Sequence, residues 1–388
     1  MSIKSIYIHI PFCQSKCAYC DFYSVTAHDA SVRRKYLAAL LVELSRLSEE
    51  HDLRRLPVQT LYIGGGTPTI FSGAEIAEFL VHVQECVALS SDNEVTIEAN
   101  PGSVTAADLN LLRQAGVNRL SLGAQSFDEK KLRLLGRTHS ASDTFRAVDA
   151  ARDAGIKNLN LDVISALPGQ SLNELNADME QAVALSPDHI SAYMLTYEEN
   201  TPLFRQWKNG KLQRTDIDLE AKMLSHTVEF LESRGYMRYE IFNYCSFGKV
   251  SRHNQTYWNY ENYLGVGASA ASFVSPKRWT NQADVAGYIR STCQEQSSAG
   301  SMENLDKQTQ MGEMIFLALR QRQGLRMGRF EEYFGESPLR LFSETIKKYH
   351  DYGLIEIKSD HLRLTREGFM VADSIFVDFI CNNSGFHE

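Results

Sequence analysis

This sequence predicts an α/β fold: a partial (β/α)6 TIM-like barrel followed by a C-terminal winged-helix-like α+β module. Three observations carry that expectation. Six short strand-like runs recur through the first half of the chain, segments with helical apolar spacing separate them, and sharp motifs stand just after, or at the end of, the runs.

Taken in order, Ile6, Ile8 and Ile10 alternate until Pro11 stops the first run. Tyr36, Leu37, Leu40, Leu41, Leu44 and Leu47 then mark one face of a helix. Leu61-Tyr62-Ile63 ends at Gly64, and Ile76, Phe79, Leu80, Val83 and Val87 form the next stripe. Residues 94–98, 117–122, 159–164 and 189–195 are the further strands, with helices over 109–115, 142–154 and 172–185 between them. Strands separated by helices pair in parallel through right-handed crossovers. Six such units fall short of the eight of a closed barrel, which favours an open one with its functional groups at the C-terminal ends of the strands.

A strong helix follows over 216–234, then two extended or loop segments, 236–244 and 263–273. Residues 294–304 are polar and read as a linker. Beyond them the pattern gives helices at 311–320 and 338–352 with a short one between, strands at 354–358 and 361–365, and a last helix. The expected division is therefore a barrel over 1–210, a core extension over 211–304 and the winged-helix-like module over 305–388.

With 388 residues, 43% hydrophobic and 23% charged, the chain buries a core without disulfide or metal support. Its net charge of −8 argues against a general nucleic-acid binder. From Leu305 onward 11 Lys and Arg face 13 Asp and Glu, so the C-terminal module lacks a basic recognition helix and a DNA-binding, redox-sensing regulator is disfavoured. No stretch approaches the ~20 apolar residues of a membrane span, and the N-terminus is too short and polar for a signal peptide. A cytoplasmic location is expected, with peripheral membrane contact left open. Three of the seven cysteines crowd into eight positions, while Cys86, Cys245, Cys293 and Cys381 stand singly, a pattern of metal ligation rather than disulfides.

Cys13, Cys17 and Cys20, spaced C-x3-C-x2-C, lie directly after the first strand. Three thiolates on one loop can hold three irons of a [4Fe–4S] cube and leave the fourth iron for another ligand. The amino and carboxylate groups of S-adenosylmethionine (SAM) suit that vacancy, and an electron from the cluster would then break a C–S bond of the sulfonium. The alternatives are three incidental cysteines or a zinc site, for which His28 is a distant fourth ligand. Gly64-Gly65-Gly66-Thr67-Pro68 after the second strand is either a tight turn or a backbone surface a ligand can approach closely. His253-Asn254-Gln255-Thr256-Tyr257-Trp258 offers an imidazole of the kind that ligates heme iron, with aromatic neighbours for a porphyrin face; the other reading is a buried histidine hydrogen-bonded to its surroundings. Cys245 is a rival axial ligand or a buried thiol.

These strings resemble the radical SAM superfamily. Tyr7-Ile-His9-Ile-Pro11-Phe12-Cys13 with Tyr19-Cys20-Asp21-Phe22 is similar to its branch of oxygen-independent coproporphyrinogen oxidases (HemN) and heme chaperones (HemW). The resemblance implies a [4Fe–4S] cluster on Cys13, Cys17 and Cys20. It implies SAM held by Tyr7, Tyr19, Gly65, Gly66, Thr67, Glu98, Gln125, Arg137, Asp162 and Ala192, some of them at a second SAM position. The segment from His253 to Trp258 resembles the HNxxYW signature of the chaperones and makes His253 a heme ligand candidate. The oxidases carry a further cysteine two positions after the third, where this chain has Phe22, and a long N-terminal extension before the tyrosine that corresponds to Tyr7. Both differences favour a heme chaperone with heme or porphyrin, a reductant protein and recipient hemoproteins as partners. The rival function is an enzyme, the oxygen-independent decarboxylation of coproporphyrinogen III to protoporphyrinogen IX. The chain departs from the branch pattern at Ala166, where relatives show glycine; a methyl there is expected to narrow the cavity.

Overall fold

A computed structural model describes residues 2–26 and 28–381; Met1, Ala27 and the last seven residues of the expected C-terminal module, 382–388, lie outside the described residues, as does the side chain of Cys381. Six parallel strands form its centre: β1 (Ser5–Ile10), β2 (Val58–Gly65), β3 (Leu89–Ala99), β4 (Arg119–Gln125), β5 (Asn158–Ser165) and β6 (His189–Met194). They lie side by side in chain order, as an open partial barrel requires.

The strands alternate strictly in chemistry. Ile6, Ile8, Leu61, Ile63, Val95, Ile97, Leu120, Leu122, Leu159 and Leu161 are buried in the main apolar core, on the face covered by α1 (Ala30–His51), α2 (Gly73–Cys86), α3 (Ala106–Gln114), α5 (Ala141–Asp153) and α6 (Leu172–Ala184). A short α4 (Glu129–Leu134) precedes α5. The residues between them (Tyr62, Glu98, Arg119, Ser121, Asn160, Asp162, Ser191) line a cavity inside the barrel. A period of two thus separates an apolar outside from a polar inside, where an ordinary TIM barrel packs branched aliphatic residues.

Helix starts are well specified. Ser72 with Glu75, Thr105 with Asp108, Ser140 with Asp143 and Ser171 with Glu174 form reciprocal capping boxes at α2, α3, α5 and α6. Each box satisfies two otherwise orphaned donors and fixes where the chain turns from strand end into helix.

Both edges of the parallel sheet are capped from the segment after the barrel. β7 (Met237–Arg238) and β8 (Asn243–Cys245) add antiparallel beside β6. On the other side β9 (Tyr263–Val266) pairs parallel with β1, and β10 (Ala271–Val274), β11 (Lys277–Asn281) and β12 (Ala299–Asn304) continue antiparallel. β12 corrects the expectation of a linker over 294–304. As the outermost strand it has one partner and almost wholly exposed side chains, so no apolar alternation marks it in the sequence. Between β8 and β9 the helix Arg252–Trp258 crosses the N-terminal end of the barrel.

The C-terminal module has its own apolar core, including Phe330, Phe342, Ile346, Leu362 and Phe379. Its antiparallel sheet runs Leu325–Arg326, His361–Leu364, Ile355–Lys358. The helix expected over 338–352 is two, Pro338–Leu341 and Ser343–Asp351, because Phe342 leaves helical geometry to bury its ring. Buried Glu240 meets Arg320 at 3.7 Å and Gln321 donates to Trp258 O at 3.1 Å, joining module to barrel. Among the described residues no helix is long and apolar enough to cross a membrane.

Candidate functional site

Two loops lock together to make the site. Gly66 N donates to Ile10 O at 2.8 Å and Thr67 N to Phe12 O at 2.8 Å, so the glycine run after β2 lies on the cysteine loop after β1. Gly66 has to be glycine: a Cβ would stand 2.8 Å from Phe12 O and 3.0 Å from Cys13 Sγ. Gly65, at φ +114°, would drive a methyl into the His9 ring. The bare backbone therefore serves a close approach, and Gly65 N is spent on Glu98 Oε2 at 2.9 Å.

Cys13, Cys17 and Cys20 all line one cavity of about 640 Å³ at the C-terminal ends of the strands. Burial pushes the Cys13 and Cys20 thiols up, and the Thr67 hydroxyl, 3.7 Å from Cys13 Sγ, pulls Cys13 partly back. Arg137 Nη1 donates to Cys17 Sγ at 3.4 Å. Such donors to sulfur are among the means by which proteins tune iron–sulfur clusters. Among the described residues no three His, Cys, Asp or Glu side chains close around a common point as a single bare ion demands. A cube with one iron per thiolate fits three thiols on a shared wall better than zinc does. His28 holds the backbone of the cysteine loop, its Nε2 bonded to Cys13 O at 3.3 Å, while its Nδ1 is buried without a partner.

The cavity collects Tyr19, Gly65, Gly66, Thr67, Glu98, Gln125, Arg137 and Asp162 together with the thiols. Tyr62 Oη donates to Glu98 Oε1 at 2.7 Å, while Asn160 Nδ2 donates to Asp162 Oδ1 at 2.8 Å. Burial raises both carboxyls, and these neutral donors pull them back. Gln125 holds φ +67°, a left-handed turn that swings β4 out of register with β5 and presents the side chain at the rim. Phe22 lies at the mouth, 70% exposed.

Three expected residues lie off the wall. Tyr7 bonds His9 Nδ1 at 3.0 Å, and Ala192 is buried with its N–H donated to Phe242 O at 2.8 Å. His253 is 1% exposed, with Nδ1 at 2.7 Å from Thr60 Oγ1 and Nε2 at 2.7 Å from Tyr257 Oη. Burial and then Arg119 hold its pKa down to about 3. With both ring nitrogens engaged, His253 is a neutral structural histidine and offers no electron pair to heme iron. Cys245 is likewise buried in β8, its thiol pushed up to about 11 by burial. The methyl of Ala166 does not narrow the cavity: the residue sits outside the wall at φ +58°, a conformation glycine adopts freely.

Sequence reasoning passed over Asn100, Arg119 and Asn254, all on the cavity wall. A period-two count on the strands would have exposed Arg119 as an inward residue. Asn254 is the member of the HNxxYW string that reaches the cavity, in place of His253.

The comparisons with known proteins agree with this geometry. Residues 7–182 match the Radical SAM superfamily and residues 305–371 the HemN C-terminal domain. The heme chaperone HemW of Bacillus subtilis is 34% identical, covering 97% of this chain and 99% of that protein. The HemW of Lactococcus lactis is 32% identical over 99% of both. A mouse protein, radical S-adenosyl methionine domain-containing protein 1, mitochondrial, is 32% identical over 97% of this chain and 87% of its own. The structure of coproporphyrinogen III oxidase (HemN) from Escherichia coli superposes with a TM-score of 0.85 at 22% identity, over 98% of this chain and 91% of that one, a likeness of fold. With relatives above 30% identity along nearly its whole length, this chain belongs to the HemW family within the radical SAM superfamily.

Proposed function

We propose that the protein is a radical SAM-type heme chaperone that binds a [4Fe–4S] cluster, SAM and heme and passes heme to hemoproteins. One observation carries this reading: the relatives from Bacillus subtilis and Lactococcus lactis that match it end to end are heme chaperones. The cavity suits it, with three thiols on a polar wall. The cluster supplies one electron and an open iron for SAM when bound. The chain's own residues do the rest. Thr67 and Arg137 donate to two of the thiol sulfurs. The glycine run gives the methionine part a bare backbone, and Glu98, fixed by Tyr62 and Gly65, faces it as a carboxylate acceptor. Tyr19, Gln125 and Asp162 complete the wall.

His253 and Cys245 do not fit axial ligation of heme, so heme attachment is proposed without either. A protein reductant, recipient hemoproteins and a cytoplasmic location belong to the same proposal; the six described cysteines are all free, which suits a reducing compartment. The test is anaerobic reconstitution with iron and sulfide, followed by hemin titration and by incubation with SAM, reductant and coproporphyrinogen III. Stable hemin uptake without protoporphyrinogen is expected. Appearance of protoporphyrinogen at catalytic turnover would replace the chaperone by the oxidase.

A further inference from the structure

The turn that ends α4 delivers Arg137 to the cysteine loop and His139 to Arg137. Gly136 takes the left-handed position after the helix, at φ +72°. Its N–H donates to Arg133 O at 3.0 Å and that of Arg137 to Leu132 O at 2.9 Å, the paired closure that glycine makes at helix C-termini. The chain then runs to Ser140, where the capping box of α5 begins.

His139 is only 6% exposed, and its Nε2 lies 3.1 Å from Ala124 O in β4. A carbonyl only accepts, so Nε2 carries the proton and Nδ1 presents a lone pair. Arg137 Nε donates to that Nδ1 at 3.4 Å. Burial, and then the charge of Arg137, hold the His139 pKa down to about 4, which keeps the ring a neutral acceptor. The rest of the guanidinium is shared out: Nη1 donates to Cys17 Sγ at 3.4 Å, and Nη2 to Asn100 Oδ1 at 2.5 Å and Gly123 O at 2.7 Å. Asp162, an acid on the same cavity wall, also attracts Arg137, yet the guanidinium's bonds run to the residues just named. A carboxylate matches the fork of an arginine better than any neutral acceptor does. The fork must therefore be held off Asp162. Asn100 and Gly123 grip one tip, and His139 grips Nε, the atom that joins the planar group to its stem. We infer that His139 is a positioning residue that keeps the Arg137 guanidinium on Cys17 and off Asp162. It thereby helps to set the potential of the cluster on the cysteine loop. The inference rests on the cluster of the proposed function and needs neither SAM nor heme.

The experiment is potentiometry of the reconstituted cluster without SAM, read by electron paramagnetic resonance. Four proteins are compared: unaltered, His139→Ala, Asp162→Asn and the double variant. His139→Ala should let the guanidinium turn to Asp162. The ratio of oxidised to reduced cluster at a fixed potential should then rise about tenfold, a fall of about 59 mV for one electron, the scale of one charge-assisted hydrogen bond. With Asp162→Asn already in place the same replacement should shift the ratio by less than half as much on a logarithmic scale, because the competing anion is gone. A histidine that only fills space gives equal shifts in both backgrounds, and that result overturns the inference. So does a cluster-loaded His139→Ala protein with an unmoved potential. If His139→Ala binds too little iron to measure, His139→Phe fills the space without an acceptor and is held to the same two outcomes. Absence of an iron–sulfur chromophore from the unaltered protein sinks the cluster reading itself, and this inference with it.

Discussion

Arg137 donates from Nη2 to Asn100 Oδ1 at 2.5 Å, and Asn100 in turn donates from Nδ2 to Thr67 Oγ1 at 3.1 Å. Because Thr67 reaches Cys13 and Arg137 reaches Cys17, this amide couples the settings of two thiols that lie on the same loop. Asn100→Ala should loosen both donors. The reduced cluster carries more negative charge on sulfur and loses more from that, so its potential should fall by roughly tens of millivolts, the scale of one weakened charged hydrogen bond. Redox titration of the reconstituted protein followed by electron paramagnetic resonance reads the shift; an unmoved potential would show that Asn100 only spaces the loops.

Gly66→Ala should separate folding from cluster assembly. The new methyl would meet Phe12 O and Cys13 Sγ inside contact distance, a strain of ~1–3 kcal/mol that falls on the cysteine loop. Far-ultraviolet dichroism should survive while bound iron per chain drops severalfold. Full iron loading in the variant contradicts the close-approach argument.

His253→Ala should cost stability and leave heme alone. Removing a buried ring that bonds Thr60 and Tyr257 leaves a void and costs the Tyr257 hydroxyl its partner, while Thr60 keeps its bond to Ser5, a loss of about 2–4 kcal/mol. The hemin spectrum should be unchanged. A Soret band displaced in the variant would restore His253 as a ligand.

The same histidine predicts a pH slope. Its folded pKa is near 3, against ~6.5 when unfolded, so between those values the unfolded chain binds one more proton. Stability is complete above the unfolded pKa and is lost as pH falls through the window, at up to roughly 1.4 kcal/mol per pH unit. Urea melts of the cluster-free protein from neutral to acid pH should be shallower in His253→Ala by about that slope. Equal slopes in the two proteins would mean that His253 titrates normally in the fold.

Ala166→Gly should be tolerated or mildly stabilising, on the order of 0.5–1 kcal/mol, since it relieves a left-handed alanine at φ +58° at the expense of a looser unfolded chain. Chemical denaturation measures it. A loss of that size instead would mean that the methyl packs usefully.

The fold class and the cysteine loop were legible because both are local: the apolar runs mark strands, and three cysteines within eight positions need no tertiary knowledge. Other features depended on partners far away in sequence. His253 stood as a ligand candidate because its string sets an imidazole beside aromatic rings and resembles the HNxxYW signature, yet its bonds run to Thr60 and to Glu94, whose carboxylate accepts from His253 N at 3.0 Å. β12 was invisible because an outermost strand can be polar on both faces. The polar interior was written plainly in the sequence: Glu94-Val-Thr-Ile-Glu98, Arg119-Leu-Ser-Leu-Gly123 and Asn158-Leu-Asn-Leu-Asp162 alternate without exception. Only knowledge that the strands curl into a barrel says that their polar face looks inward.

The helix Arg252–Trp258 sits where a pipe would have its lower opening. Thr256 bonds Ser5 at 2.6 Å, His253 bonds Thr60, and the first turn's N–H groups point at Glu94. The vessel is stoppered at that end. The cavity then reaches toward the other ends of the strands, where the cysteine loop and Phe22 lie on one side and Leu195 and Glu198 on another.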